Sequence, residues 1–350
     1  MALSETILKD VLSHFDITPT KITPCTVGLI NATYFVTGDG GTEYVLQRIN
    51  TAVFTDPYGV MANIDKVTAH LTSKDVPTLT FLKGKDGKNY LENENGFFRI
   101  SLREEGRTYN EATPELLEAA GEAFGAFQYA LTDFDASSLV ETIPDFHNTP
   151  ARVEALFSAI ETAEQERFVA AVDAIKLAKQ FASQASYLTS LLSRGDLPLR
   201  VVHNDTKVNN VLLSETGRAT VLDLDTVMPG SLLFDFGDAV RSGASTRPEG
   251  SVDFENFTVD IPRYEAFLKG FLKGIRGMLT PNEVKLLPFS MFVLAYELGV
   301  RFLTDYLKGD VYFHTSYPSE NLDRALGQLT LAKSVFFRLD ELAKLSGRYL

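Results

Sequence analysis

The sequence predicts an α+β protein of two lobes, a small antiparallel-sheet lobe over residues 1–105 and a larger, mainly helical lobe over residues 106–350. Three observations carry that prediction. Short β-like runs (Thr33-Tyr34-Phe35-Val36, Tyr44-Val45-Leu46 and Phe97-Phe98-Arg99-Ile100) are separated by turn residues such as Gly38-Asp39-Gly40-Gly41 and Lys85-Asp86-Gly87, the texture of antiparallel hairpins. After about residue 106 the apolar spacing becomes helical. Within the helical part, residues 199–225 form a compact strand-like insert that concentrates the unusual polar residues. Two lobes imply a cleft, where small ligands commonly bind.

In chain order, Ile7, Leu8, Val11, Leu12 and Phe15 define an apolar stripe on a first helix, and Val60, Met61, Ile64, Val67 and Leu71 place one helix inside the strand-rich part. Thr113-Pro114 is an N-cap with proline at the first helical position, opening a helix through Leu131. Residues 151–194 read as mostly helix, and Thr280-Pro281-Asn282-Glu283 is a capping box. The apolar run behind it, Leu286 to Tyr296, stops at Glu297 and Arg301 and reads as a buried helix too short to cross a bilayer.

With 350 residues, 45% of them hydrophobic, the chain can bury a sizeable core. Lys and Arg number 33 against 46 Asp and Glu, a formal charge of -13, which excludes nucleic acid and anionic membrane surfaces as broad partners. The single cysteine, Cys25, excludes an intrachain disulfide and reads as a small, partly buried hydrophobe. Glu5, Lys9 and Asp10 interrupt the start where a signal peptide needs apolar residues, so a cytoplasmic protein is expected, and a monomer.

The chemistry concentrates in His203-Asn204-Asp205-Thr206-Lys207-Val208-Asn209-Asn210, whose frame H-x-D-x-x-x-x-N is that of the kinase catalytic loop. Phosphoryl transfer needs a carboxylate to orient the attacking hydroxyl and an oxygen ligand for a metal ion; Asp205 suits the first role and Asn210 the second. Lys207 is placed to neutralise charge on the transferred group. Ala219 to Leu222 reads as a strand that delivers Asp223 and Asp225 on one face. Asp223 is the expected main Mg2+ ligand, and Asp225 either a second metal contact or a loop support. Asp235-Phe236-Gly237 spells the protein-kinase metal motif, but it runs into a helix instead of ending a strand. Asp235 is therefore expected to cap a helix or hold the catalytic loop, His203 to support that loop, and Arg241 to form a salt bridge.

HNDTKVNN followed by VLDLD resembles the aminoglycoside phosphotransferase and choline kinase superfamily, small-molecule relatives of protein kinases. More closely, GLINATY (28–34), HNDTKVNNVLL (203–213), LDLDTVMPGSLLFDFGD (222–238) and RFLTDYLKGDVYF (301–313) are similar to the bacterial N-acetylhexosamine 1-kinases. The resemblance implies a bilobal protein-kinase-like fold. It also implies ATP- and Mg2+-dependent phosphorylation of the anomeric hydroxyl of N-acetylglucosamine or N-acetylgalactosamine. By it Asp205 is the base contacting the sugar, Asn210 and Asp223 hold metal, and Arg301 and Tyr312 help hold the sugar. Gly28 and Asn31 fall in the expected nucleotide loop, and Gln47 stands where protein kinases carry a strand-three lysine, supplying a hydrogen bond but no charge. Leu29 and Ser242 depart from the family, which has histidine and a bulky aromatic there. Choline, homoserine, methylthioribose or an aminoglycoside remain open as acceptors. Gln47 also leaves open an inactive, nucleotide-binding protein of kinase shape.

Overall fold

The computed structural model describes residues 3–25 and 30–349. The chain forms two compact units. The first comprises Met1–Thr108, Ser137–Pro144 and Leu212–Met228, and the second Tyr109–Ala136, Asp145–Val211 and Pro229–Leu350. The expected cut at 105/106 therefore differs from the observed division, because two later segments join the first unit. Their anchors are polar contacts between segments distant in sequence: Arg107 and Leu213 exchange backbone hydrogen bonds of 2.9 and 3.0 Å. Asn63 Nδ2 donates to the carbonyls of Val140 (2.7 Å) and Val227 (3.0 Å).

In the first unit, α1 (Glu5–His14) is capped by Ser4, whose hydroxyl accepts the Ile7 N–H. Strands β1 (Pro19–Pro24), β2 (Ala32–Gly38) and β3 (Glu43–Ile49) precede α2 (Pro57–Ser73), and β4 (Leu91–Asn93) and β5 (Gly96–Leu102) follow it. All pairings are antiparallel in the order β1-β2-β3-β5-β4. Alternation along the strands sends Tyr34, Val36, Leu46, Phe98 and Ile100 to one face, where Leu8, Val11 and Leu12 of α1 complete a core. Residues of the opposite phase form a cross-strand row, Thr33 opposite Gln47 and Gln47 opposite Arg99.

The remaining elements are α3 (Pro114–Ala130), α4 (Thr149–Thr162), α5 (Gln165–Ala170), α6 (Val172–Phe181), α7 (Tyr187–Ser193), β6 (Arg200–Val202), β7 (Val211–Leu213), β8 (Ala219–Val221), β9 (Met228–Gly230), α8 (Leu232–Gly243), α9 (Ile261–Ile275), α10 (Pro281–Leu307), α11 (Glu320–Phe337) and α12 (Leu339–Ser346). The stretch 151–194, expected to be mostly helix, holds the four helices α4 to α7. β6 pairs with β9, and β7 with β8.

Helix α10 opens with the expected capping box, in which Thr280 and Glu283 exchange side-chain-to-backbone hydrogen bonds of 2.8 and 3.2 Å. It is longer than the apolar run suggested, 27 residues, and long and apolar enough by composition to cross a membrane. Yet 83% of its apolar window is buried inside the protein, the condition of a core helix.

Helices α3 and α9 approach so closely that only glycine fits between them. A Cβ on Gly270 would lie 1.9 Å from the Glu118 carbonyl oxygen, and one on Gly121 would lie 2.3 Å from that of Phe267. Backbone cannot move aside as a flexible side chain can, so this crossing tolerates no added methyl. Gly270→Ala is expected to lower the unfolding free energy by about 2 kcal/mol or more in denaturant titration. Gly40→Ala, with open space around its Cβ, is expected to change it by less than about 0.5 kcal/mol.

Candidate active site

In the second unit β6 runs into the polar loop at His203, whose fully buried ring packs against the edges of Phe124 and Phe127 at 5.6 and 6.1 Å. Asn204 adopts a left-handed backbone, φ 64°, a conformation non-glycine residues hold only where the surroundings enforce it. The enforcing group is Asp235, buried in the first turn of α8. Its carboxylate accepts the backbone N–H of His203 at 2.9 and 3.0 Å, that of Asn204 at 2.7 Å, and Nε2 of Gln128 at 2.6 Å. The Thr206 hydroxyl donates to the Asp235 carbonyl at 2.5 Å. Burial pushes the Asp235 carboxyl above its ordinary value, against the pull of His203 and these N–H groups. The D-F-G triplet is therefore a clamp on the loop, as its sequence position implied.

The clamped loop presents Asp205. Asn210 Nδ2 donates to its Oδ2 at 2.9 Å and to its backbone carbonyl at 2.8 Å, and Lys207 Nζ pairs with Oδ1 at 2.7 Å. Burial alone would lower the Lys207 pKa, but Asp205 and Asp238 outweigh it and raise the value, so the side chain stays an ammonium. Both amide donor bonds of Asn210 go to Asp205, and Asn210 Oδ1 has no hydrogen-bond partner among the described residues, which suits a hard cation. Arg241 forms the expected salt bridge. Its Nε and Nη2 donate to Asp238 Oδ1 at 3.0 and 2.7 Å, and Nη1 to Glu249 at 3.1 Å. Ser242 closes on its own helix, donating to the Asp238 carbonyl at 2.9 Å.

Arg301 and Tyr312 also lie in this unit and adjoin one another. The Arg301 guanidinium sits 6.0 Å from the Tyr312 ring centre and 5.5 Å from that of Phe313. Tyr312 is 68% exposed. Its loop is held by Asp305, whose carboxylate accepts the N–H groups of Val311, Tyr312 and Phe313 at 2.8–3.0 Å, with Asn321 Nδ2 at 3.0 Å.

In the first unit, Asp223 ends the segment after β8 in a left-handed conformation, φ 56° and ψ 63°. Asp225, in the single turn that follows, is 2% exposed. It forms an ion pair with Arg99, and its Oδ2 accepts Asn31 Nδ2 at 2.7 Å. Such enclosure suits the loop-support role. Gln47 Oε1 accepts Arg99 Nε at 2.9 Å. Gly28 lies outside the described residues.

Sequence reasoning overlooked Arg99, Gln128 and Asp305. A charge inside Gly96-Phe97-Phe98-Arg99-Ile100-Ser101-Leu102 was the available signal for the first, since an arginine among apolar neighbours needs a buried partner. For Asp305 the signal was an acid on the otherwise buried α10.

A carboxylate flanked by an ammonium and an amide, on a loop fixed through its backbone, is able to orient a hydroxyl for group transfer. The chain belongs to the phosphotransferase enzyme family, whose family model matches residues 21–268. Solved structures share the kinase-like fold. An aminoglycoside phosphotransferase from Alicyclobacillus acidocaldarius has 13% identity, 98% of each chain covered and a TM-score of 0.66. A microcompartment-associated aminopropanol kinase has 18% identity, 98% of this chain and 99% of the other covered, and a TM-score of 0.65. An amicoumacin kinase in complex with AMP-PNP, Ca2+ and Ami has 15% identity, 94% and 93% covered, and a TM-score of 0.63.

Asp235→Ala leaves two loop N–H groups and Gln128 without their acceptor. The variant is expected to lose about 3 kcal/mol of stability in denaturant titration. Its kcat should fall about a hundredfold, with the nucleotide KM changed less than about threefold.

Proposed function

We propose that this chain is an ATP- and Mg2+-dependent kinase that phosphorylates the anomeric hydroxyl of N-acetylhexosamines. The observation that carries the chemistry is the presentation of Asp205 between Lys207 and Asn210 on the Asp235 clamp. The acceptor assignment is supported by the four long motifs and by the adjacency of Arg301 to the exposed Tyr312.

Asp205 Oδ1 and Oδ2 each hold one partner, so its carboxylate is fixed in orientation before the acceptor arrives. The acceptor O–H donates to Asp205. As the sugar oxygen bonds to the γ-phosphorus of ATP, the proton passes to that carboxylate, the bond from γ-phosphorus to the bridging oxygen breaks, and ADP leaves with the electron pair. Lys207, kept charged by Asp205 and Asp238, faces charge building on the transferred group.

Among the described residues no group of three or more His, Cys, Asp or Glu side chains is arranged to hold a metal. The fit is instead to a cation held by few protein oxygens together with phosphate, the usual Mg2+ arrangement. By the resemblance of their motifs, Asn210 through Oδ1 and Asp223 through its carboxylate are each proposed to offer Mg2+ an oxygen. When bound, Mg2+ supplies neutralisation of phosphate charge.

The acceptor is tested by ATP consumption over a panel of sugars and amino-alcohols in Mg2+. Turnover of N-acetylglucosamine or N-acetylgalactosamine is expected, and turnover of choline or an aminoglycoside instead contradicts the assignment. Asp205→Ala is expected to reduce kcat by about a thousandfold or more while ATP binding by calorimetry changes less than about threefold.

A further inference from the structure

We propose that Arg99 is the cation this chain turns toward the nucleotide phosphates in place of a lysine on β3. The inference rests on the reading of the chain as an ATP-dependent kinase. In protein kinases the strand-three lysine meets the phosphates and is held by a glutamate of the neighbouring helix. Here β3 carries Gln47 in that place, and α2 offers Arg99 only the Met61 sulfur, 4.0 Å from Nη1.

The positive charge has moved one strand over. Gln47 and Arg99 are directly opposed in the antiparallel β3–β5 register, so their side chains share the sheet face away from the α1 core. Arg99 Nε donates to Gln47 Oε1 at 2.9 Å, and Gln47 Nε2 donates to the Thr33 hydroxyl at 3.3 Å, so the row Thr33–Gln47–Arg99 aims the guanidinium. Asp225 takes the place of the helix glutamate. Paired with Arg99 Nη1, it stands two residues after Asp223 and is tied through Oδ2 to Asn31 of the expected nucleotide loop. Nη2 of Arg99 has no hydrogen-bond partner among the described residues. Arginine carries five N–H donors, so the site leaves capacity that a phosphate oxygen would fill. A buried ion pair seldom out-stabilises well-packed apolar residues, which makes retention for ligand binding the better account of Arg99 than stability alone.

Calorimetric binding of ATP and of adenosine, both without metal, tests the assignment on wild type, Arg99→Gln and the double variant Gln47→Lys/Arg99→Gln. Arg99→Gln is expected to weaken ATP by about tenfold or more and adenosine by less than about twofold, because only the phosphates lose a partner. The double variant returns a cation to the same row and is expected to bind ATP within about threefold of wild type. Equal weakening of ATP and adenosine, or unchanged ATP binding in Arg99→Gln, overturns the proposal alone. So does a folded double variant that stays about tenfold weak for ATP, or failure of both variants to fold, which marks Arg99 as structural. Wild type that binds no ATP overturns the kinase reading and this proposal with it.

Discussion

The second unit depends on one buried carboxylate. Asp235 has no water to solvate it, so its charge is met by loop N–H groups and Gln128. That requirement fixes the loop more tightly than side-chain packing could. Backbone donors at two successive residues, His203 and Asn204, define both position and direction, and the left-handed Asn204 then turns the chain toward Asp205. Asp205 inherits this order. Its two oxygens then bind Lys207 and Asn210 without further adjustment. Preorganisation of this kind is what phosphoryl transfer asks of a protein, because positioning and electrostatics supply most of the catalysis.

The same device recurs where Asp305 gathers three consecutive N–H groups of the loop bearing Tyr312. Buried acids thus act as anchors for irregular backbone, and the polar groups of a loop find in them the partners that helices and strands find internally. In the first unit the anchor is a buried ion pair, Arg99 with Asp225, set on a sheet whose other face is filled by α1. One unit fixes its functional turn through a charge on a strand, the other through a charge on a helix.

Much of this was legible in the chain. Alternating runs gave the sheet, helical spacing gave α1, α2, α3 and α10, and the capping box at Thr280 marked where α10 begins. Asp205, Lys207 and Asn210 could be read together because they lie within six residues of one motif and meet in one loop. What sequence could not show depends on long-range pairing. The bridge between Arg107 and Leu213 draws the 212–228 hairpin into the first unit, and no local pattern announces it. Sequence alone leaves Asp225 between two roles because its partner, Arg99, lies 126 positions earlier. The glycine crossing of α3 and α9 likewise needs two distant segments to be seen side by side.

The most direct measurement of the central claim is phosphorus NMR of the product formed from ATP, Mg2+ and N-acetylglucosamine or N-acetylgalactosamine. The account predicts a sugar phosphate whose phosphorus couples to the anomeric proton, formed with one ADP per sugar. A phosphate on any other hydroxyl, or ADP released without a phosphorylated sugar, would contradict it.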